Sequence, residues 1–178
     1  MRIITVFVVA CCLLSISCSS QTEEEQLRKM HSKPLKFNSD EYVCISHLYY
    51  NTISANTEFQ LIRYIDARQC TSCSLKQLSY ELLDSLPGNV TTKLVVNADK
   101  GKVALVKRYL HHLNGTMDIY VDTASCFRDI NPQIPDNPLF HTFLINQNDS
   151  IVLVGDPLRN NKIRDLMINL LHVNVLED

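Results

Sequence analysis

The segment that decides the fold is IDARQCTSCSLKQL, residues 65–78, in which Cys70 and Cys73 stand three positions apart. It overlaps FQLIRYI (59–65), a run of β-forming residues that is typical of a strand. From Cys70 onward the apolar residues recur at helical spacing and form one stripe, made of Leu75, Leu78, Leu82 and Leu86. Pro87 and Gly88 end this pattern. We therefore predict a strand, a junction that carries both cysteines, and a helix.

The rest of the chain continues the alternation of strands and helices. The further predicted strands are 42–49, 92–97, 117–121, 141–146 and 150–155, and the further predicted helices are 100–113, a short piece at 125–130, and 160–172. Strands joined through a helix pair in parallel, whereas the last two strands, joined by a three-residue turn, pair antiparallel. These connections predict an α/β fold with a mixed sheet and helices on both faces.

Two cysteines at this spacing permit three roles: a redox centre, half of a metal site, or a structural clip. A disulfide that closes so short a loop constrains the unfolded chain little and adds little stability. A structural zinc site needs a second group of Cys or His ligands at short spacing. Cys44 and Cys126 stand alone, however, and the adjacent His111 and His112 point about 100° apart on a helix. We therefore favour the redox role and expect no metal site.

The position of the pair predicts which sulfur attacks. At the start of a helix the first cysteine lies beside unpaired backbone N–H groups, which favour its thiolate, so Cys70 is the predicted nucleophile. Arg68 is the nearest cation that would add to this effect. Cys73, one turn deeper, is predicted to resolve the mixed disulfide. For Cys44 and Cys126 we expect free thiols that pack as small apolar residues, with a disulfide between them as the alternative.

This order of elements, with Cys-x-x-Cys at the start of a helix and a closing strand–strand–helix, resembles the thioredoxin fold. YIDARQCTSCSLKQL (64–78) and HTFLINQNDSIVLVGDPLRNNKIRDL (141–166) are similar to thioredoxin-like lipoproteins of the bacterial envelope, and the resemblance covers about residues 40–175. It implies a three-layer α/β domain. It also implies thiol-disulfide exchange through Cys70 and Cys73, with protein thiols and disulfides as substrates and no cofactor.

Three positions depart from the thioredoxin pattern. Gln69 precedes the first cysteine in a chain without tryptophan, so the usual aromatic neighbour is missing. Tyr64 occupies the place of a buried acid, and Phe140 the place of the cis-proline that aligns the substrate backbone, with Pro138 two residues away. A trans bond is expected before Phe140, because a non-proline cis bond costs about 2.5–4 kcal/mol. Phe140 and His141 are the residues expected to contact substrate.

The first eighteen residues, MRIITVFVVACCLLSISC, are typical of an export signal, with a basic Arg2 followed by an apolar run. The run is shorter than the roughly 20 residues that a membrane-spanning helix needs. Its end resembles a bacterial lipobox, which implies cleavage before Cys18 and acylation of that cysteine by chains such as palmitate; an ordinary cleaved signal is the alternative. We expect a signal peptide at 1–17, a polar tether at 18–40 and the domain at 41–178, anchored to a membrane of the bacterial cell envelope and facing the periplasm or the cell surface.

The composition fits one globular domain, with 46% hydrophobic and 20% charged residues. The formal net charge of -2 argues against nucleic acid as a partner. The first hypothesis is a membrane-anchored thiol-disulfide oxidoreductase of the bacterial envelope. The second is a non-catalytic lipoprotein of the same fold, with a binding or structural role and an inert or sensing disulfide.

Overall fold

The computed structural model describes residues 22–47, 58–76, 86, 90–113 and 117–175. The helices are α1 (Glu23–His31), α2 (Thr71–Lys76), α3 (Val103–Leu110), α4 (Cys126–Ile130) and α5 (Asn161–Val175). The strands are β1 (Val43–Ser46), β2 (Phe59–Asp66), β3 (Val90–Asn97), β4 (Asp118–Asp122), β5 (Thr142–Asn146) and β6 (Ile151–Val154). Most of the predicted helical stripe after the cysteines, residues 77–85, lies outside the described residues.

The six strands form one mixed sheet in the order β1-β4-β3-β2-β5-β6. β2, β3 and β4 are parallel to one another, as their helical connections require. β5 runs antiparallel to β2, and β6 runs antiparallel to β5. β1 pairs antiparallel with β4 at the other edge. The predicted mixed sheet is confirmed.

Each face of the sheet is covered by its own helices. Side chains alternate along β2, so Tyr64 packs on one face and Leu61 on the other. The Tyr64 face packs against α1 and α4, through Met30 and Phe127. The opposite face packs against α2, α3 and α5, through the side chains Leu75, Val106, Leu110, Met167 and Leu171. The predicted three-layer α/β architecture is therefore confirmed.

The N-terminal segment differs from the expected tether. Over residues 22–40, which are the part of the expected 18–40 tether that the structure describes, the chain belongs to the folded body. Thr22 and Glu25 form a reciprocal capping box that starts α1. Met30 is 0% exposed, and the Leu35 N–H donates to the Asp149 carbonyl at 2.7 Å.

The tether prediction was wrong here because α1 packs on the sheet through few apolar residues. Only Leu27 and Met30 of this helix join the core cluster, which is too few for a helical period to stand out against its charged residues. The signal peptide and residues 18–21 lie outside the described residues. Within the described part of the chain, no helix is both long and apolar enough to cross a bilayer.

Candidate functional site

The Cys70–Cys73 pair lies where β2 ends and α2 begins. The two sulfurs are within bonding distance, and their Cα atoms are 5.3 Å apart. The Ser74 N–H donates to the Cys70 carbonyl at 3.0 Å, which is the first turn of α2. The Thr71 hydroxyl donates to the Ala67 carbonyl at 2.9 Å and ties this turn to the end of β2. The strand, junction and helix predicted from the sequence are thus present.

Cys70 and Cys73 differ in exposure: Cys73 is exposed, and Cys70 is half-buried. The reason is the phase of α2, whose buried residues are Thr71 and Leu75. Cys73 lies two residues, or about 200°, beyond Thr71, which turns it away from the core.

The backbone of the pair favours Cys70 as the reacting sulfur. The Cys73 N–H donates to Cys70 Sγ at 3.3 Å, and a hydrogen bond donated to sulfur favours the charged form of a thiol. The Ser72 hydroxyl lies 3.7 Å from the same sulfur. Both groups belong to residues 72–73, so the interaction is local to the motif.

Cys70 also lines a groove of about 1030 Å³. The groove runs past the loop before β5 and the segment after β6, and its walls include Leu139, Phe140, His141 and Asp156. The structure therefore brings Cys70 together with Phe140 and His141, the two residues expected to contact substrate. Cys73 is not among the groove-lining residues. Leu139, which the sequence analysis missed, is 71% exposed in the groove wall beside them.

Phe140 and His141 hold the loop before β5 in place. Pro138–Phe140 form a 3-10 turn capped by the Asn137 side chain, which accepts the Leu139 N–H. Phe140 is buried in the core cluster of the Tyr64 face. Every peptide bond in the described residues is trans, as expected before Phe140.

The ring of His141 hydrogen-bonds within the same loop. Its Nε2 atom lies 2.9 Å from the Pro135 carbonyl and donates to it. Burial lowers the pKa of His141, so the ring is neutral near pH 7. The His141 carbonyl accepts the Tyr64 N–H at 2.8 Å, which extends the β2–β5 pairing. His141 is thus placed to shape the groove rather than to exchange protons with the disulfide.

Tyr64, six residues before Cys70, stands where the resemblance to thioredoxin would place a buried acid. Its side chain is 2% exposed and stacks on Phe127 with ring centroids 5.4 Å apart. The Asn97 amide donates to its hydroxyl at 3.0 Å. Burial raises the pKa of Tyr64, so the hydroxyl stays neutral near pH 7. The site consequently has no carboxyl at this position.

The cation nearest to Cys70 in sequence pairs with an acid instead of with the sulfur. Arg68 donates to both carboxylate oxygens of Asp66, through Nε at 3.0 Å and Nη2 at 2.7 Å. This pair holds the pKa of Asp66 below its usual value. Arg68 also donates to the Ser125 hydroxyl at 3.3 Å, and Lys102 donates to the Arg68 carbonyl at 2.8 Å. Arg68 therefore fixes the loop before Cys70.

Cys44 and Cys126 are free thiols. The alternative of a disulfide between them is wrong. Cys126 is half-buried beside the core, as expected, but Cys44 is exposed on the edge strand β1. Within the ranges that the structure describes, no three His, Cys, Asp or Glu side chains are arranged to hold a metal ion.

The described elements have the expected arrangement. The cysteine pair lies between a central parallel strand and its helix, a second parallel strand follows, and an antiparallel hairpin and a helix close the fold. The fold is thioredoxin-like. No protein-family model and no curated protein matches the chain. Among solved structures, the chain is similar to the crystal structure of a thioredoxin-like protein from Bacteroides caccae, with a TM-score of 0.43 and 14% identity, covering 82% of this chain and 52% of that chain. The fold assignment rests on the topology of this chain.

Proposed function

We propose that this protein is a thiol-disulfide oxidoreductase that acts on protein thiols and disulfides through Cys70 and Cys73. One observation carries the proposal: Cys70 lines a groove of about 1030 Å³, and its Sγ accepts the Cys73 N–H. A structural clip has no need of either feature. The disulfide also closes too short a loop to stabilise the fold appreciably.

In the reducing direction, the Cys70 thiolate attacks one sulfur of a substrate disulfide. A mixed disulfide forms, and the other substrate sulfur leaves as a thiolate. Cys73 then loses its proton to solvent and attacks Cys70 Sγ, which releases the second substrate thiolate and leaves Cys70–Cys73 oxidised. In the oxidising direction the same steps run backwards. The exposure of Cys73 gives it direct access to water as the proton acceptor.

The groove fits an extended protein segment as the substrate. Leu139 presents a large, exposed apolar side chain in the groove that Cys70 lines, and it would bury apolar surface of a partner on contact. Arg63 and Asp156 pair at 3.1 Å in the groove wall. These two side chains are mostly buried and paired, so their charges largely cancel.

We also propose that Cys18 is acylated and anchors the domain to a membrane of the bacterial envelope. The signal-like residues 1–17 and the cysteine that follows them support this.

Substitution of each cysteine tests the oxidoreductase proposal. Cys73→Ser should accumulate mixed disulfides with envelope proteins, because the resolving thiol is missing, whereas Cys70→Ser should accumulate none. Non-reducing electrophoresis of membranes treated with acid and a blocking agent gives the readout, and Cys126→Ser is the matched control. Trapping by Cys70→Ser alone would reverse the assigned roles. Absence of trapping in both variants would favour the second candidate.

The second candidate is a protein of the same fold with an inert or sensing disulfide. It is favoured because nearby ionisable groups already have other partners. Asp66 is paired with Arg68, and the His141 ring donates to the Pro135 carbonyl. Neither is available as a base for Cys73. The reduction potential separates the oxidoreductase from an inert disulfide, because catalytic exchangers lie above about -300 mV and structural disulfides below it.

A further inference from the structure

Cys44 lies close to a histidine and an aspartate at one edge of the sheet. Cys44 lies on the edge strand β1, opposite Tyr120 of β4. In a regular strand, residues 44 and 47 would point to opposite faces. The pairing shifts by one residue between Cys44 and Ser46, which is a β-bulge, so that Ser46 lies opposite Ile119. The bulge turns His47 to the same face as Cys44, and bulges commonly re-aim side chains in this way.

The result is an aligned cysteine, histidine and aspartate. Cys44 Sγ lies 3.2 Å from His47 Nε2, and His47 Nδ1 lies 3.6 Å from Asp118 Oδ1. The carboxylate favours the tautomer with the proton on Nδ1, which leaves Nε2 free to accept the proton of the thiol. The Ser46 carbonyl is a second acceptor for that proton, at 3.3 Å. A nucleophile, a base and a group that orients the base are thus present together.

The surroundings make the base necessary. Although Cys44 is exposed as a residue, partial desolvation of its sulfur raises the pKa of the thiol; the hydrogen bond at Ser46 opposes this shift, and the negative charge of Asp118 adds to it. Without help, the residue would be a thiol near neutral pH. Among the described residues, the other charged group beside this cluster is Lys93, which lies over the Phe37 ring at 3.9 Å and is 5.6 Å from the Tyr120 ring centroid. His47, whose side chain is 72% exposed, is the described residue next to the thiol that can take up its proton.

From this geometry we propose that Cys44 is a second nucleophilic thiol, activated by His47, that exchanges with small-molecule disulfides. His47 Nε2 takes the proton of Cys44, and the thiolate attacks one sulfur of the external disulfide. An S–S bond to Cys44 forms and the external S–S bond breaks. The leaving thiolate receives the proton from the imidazolium, so Cys44 is oxidised to a mixed disulfide while one external sulfur is reduced to a thiol.

This site is separate from the Cys70–Cys73 pair. Asp118 begins β4, whereas Cys70 follows the end of β2, and these parallel strands place the two positions at opposite ends of the sheet. β3 also lies between β2 and β4. Modification of Cys44 therefore does not depend on the proposed oxidoreductase activity.

The test uses the full chain with Cys70→Ser and Cys73→Ser, isolated from membranes in detergent and reduced. The probe is glutathione disulfide, and peptide mass spectrometry follows mixed-disulfide formation at each cysteine over time. Cys44 should react at least about tenfold faster than Cys126, beside which the described residues place no histidine of this kind, and addition of His47→Asn should lower the Cys44 rate about tenfold. His111→Asn, another exposed histidine, is the matched control. An equal effect of His47→Asn and His111→Asn, or equal rates at Cys44 and Cys126, would overturn the proposal.

The pH profile gives an independent readout. With His47 present, the rate at Cys44 should already be high near pH 7 and change little as the pH rises further, because a neighbouring base takes up the thiol proton. With His47→Asn, it should continue to rise towards the range of an ordinary thiol. A parent profile that rises in parallel with that of the variant would show a merely exposed cysteine.

Discussion

Replacement of Met30 by alanine tests whether α1 is part of the folded body. Met30 is 0% exposed and belongs to the core cluster on the Tyr64 face. Truncation of a buried methionine removes its transfer free energy and leaves a cavity, which together cost about 2–5 kcal/mol. We expect about 3 kcal/mol here, because the side chain is fully enclosed. In a domain of this size that loss lowers the melting temperature by about 6–12 °C.

Chemical denaturation of the purified full chain, with the unfolding free energy extrapolated to water, is the measurement for Met30→Ala. Lys29→Ala is the matched control: it is exposed in the same helix and has a similar effect on helix propensity. Its unfolding free energy should change by less than about 0.5 kcal/mol. If Met30→Ala and Lys29→Ala have the same small effect, α1 does not pack on the sheet and the segment is a tether after all.

Three further predictions concern charge, substrate contact and anchoring. Arg68 lowers the pKa of Asp66, so the stabilisation by this pair should be complete above about pH 4 and lost as the pH falls further. Asp66→Asn should therefore lower the free energy of unfolding by up to about 1 kcal/mol at pH 7 and leave it unchanged at pH 2. Urea unfolding at both pH values is the measurement. Leu139→Ser should raise the KM for a protein disulfide severalfold and leave the rate with a small disulfide unchanged; a parallel loss for both substrates would argue against a docking role. Cys18→Ser should move the protein from the membrane pellet to the soluble fraction, and continued pelleting would point to an uncleaved signal or a bound partner.

The sequence predicted the central sheet because its evidence was local. Each strand from β2 to β6 is a short apolar run, and the connections between these runs determine whether the strands pair parallel or antiparallel. The cysteine junction was predicted for the same reason. Phe140 and His141 were expected near Cys70, and the groove brings all three together.

The features that escaped prediction depend on distant partners or on the phase of a helix. Asn131 hydrogen-bonds to Lys36 across 95 residues, and no pattern in residues 18–40 signals that contact. The exposure of Cys73 follows from the burial of Thr71 and Leu75 on the same helix. The spacing of the two cysteines alone does not determine which of them faces solvent. The pairing of His47 with Cys44 requires a bulge whose position is visible only in the register with β4.

The packing of α1 has a consequence for the distance between the domain and a membrane. With the proposed anchor at Cys18, only four residue steps separate the acylated cysteine from Thr22, which caps α1. A fully extended chain spans at most about 3.6 Å per residue, so the segment from Cys18 to Thr22 spans no more than about 14 Å. Glu23 and Leu27 of α1 also line the groove that contains Cys70. The reactive sulfur would consequently work close to the lipid headgroups, where it meets substrates that lie at the bilayer surface sooner than substrates that diffuse far from it.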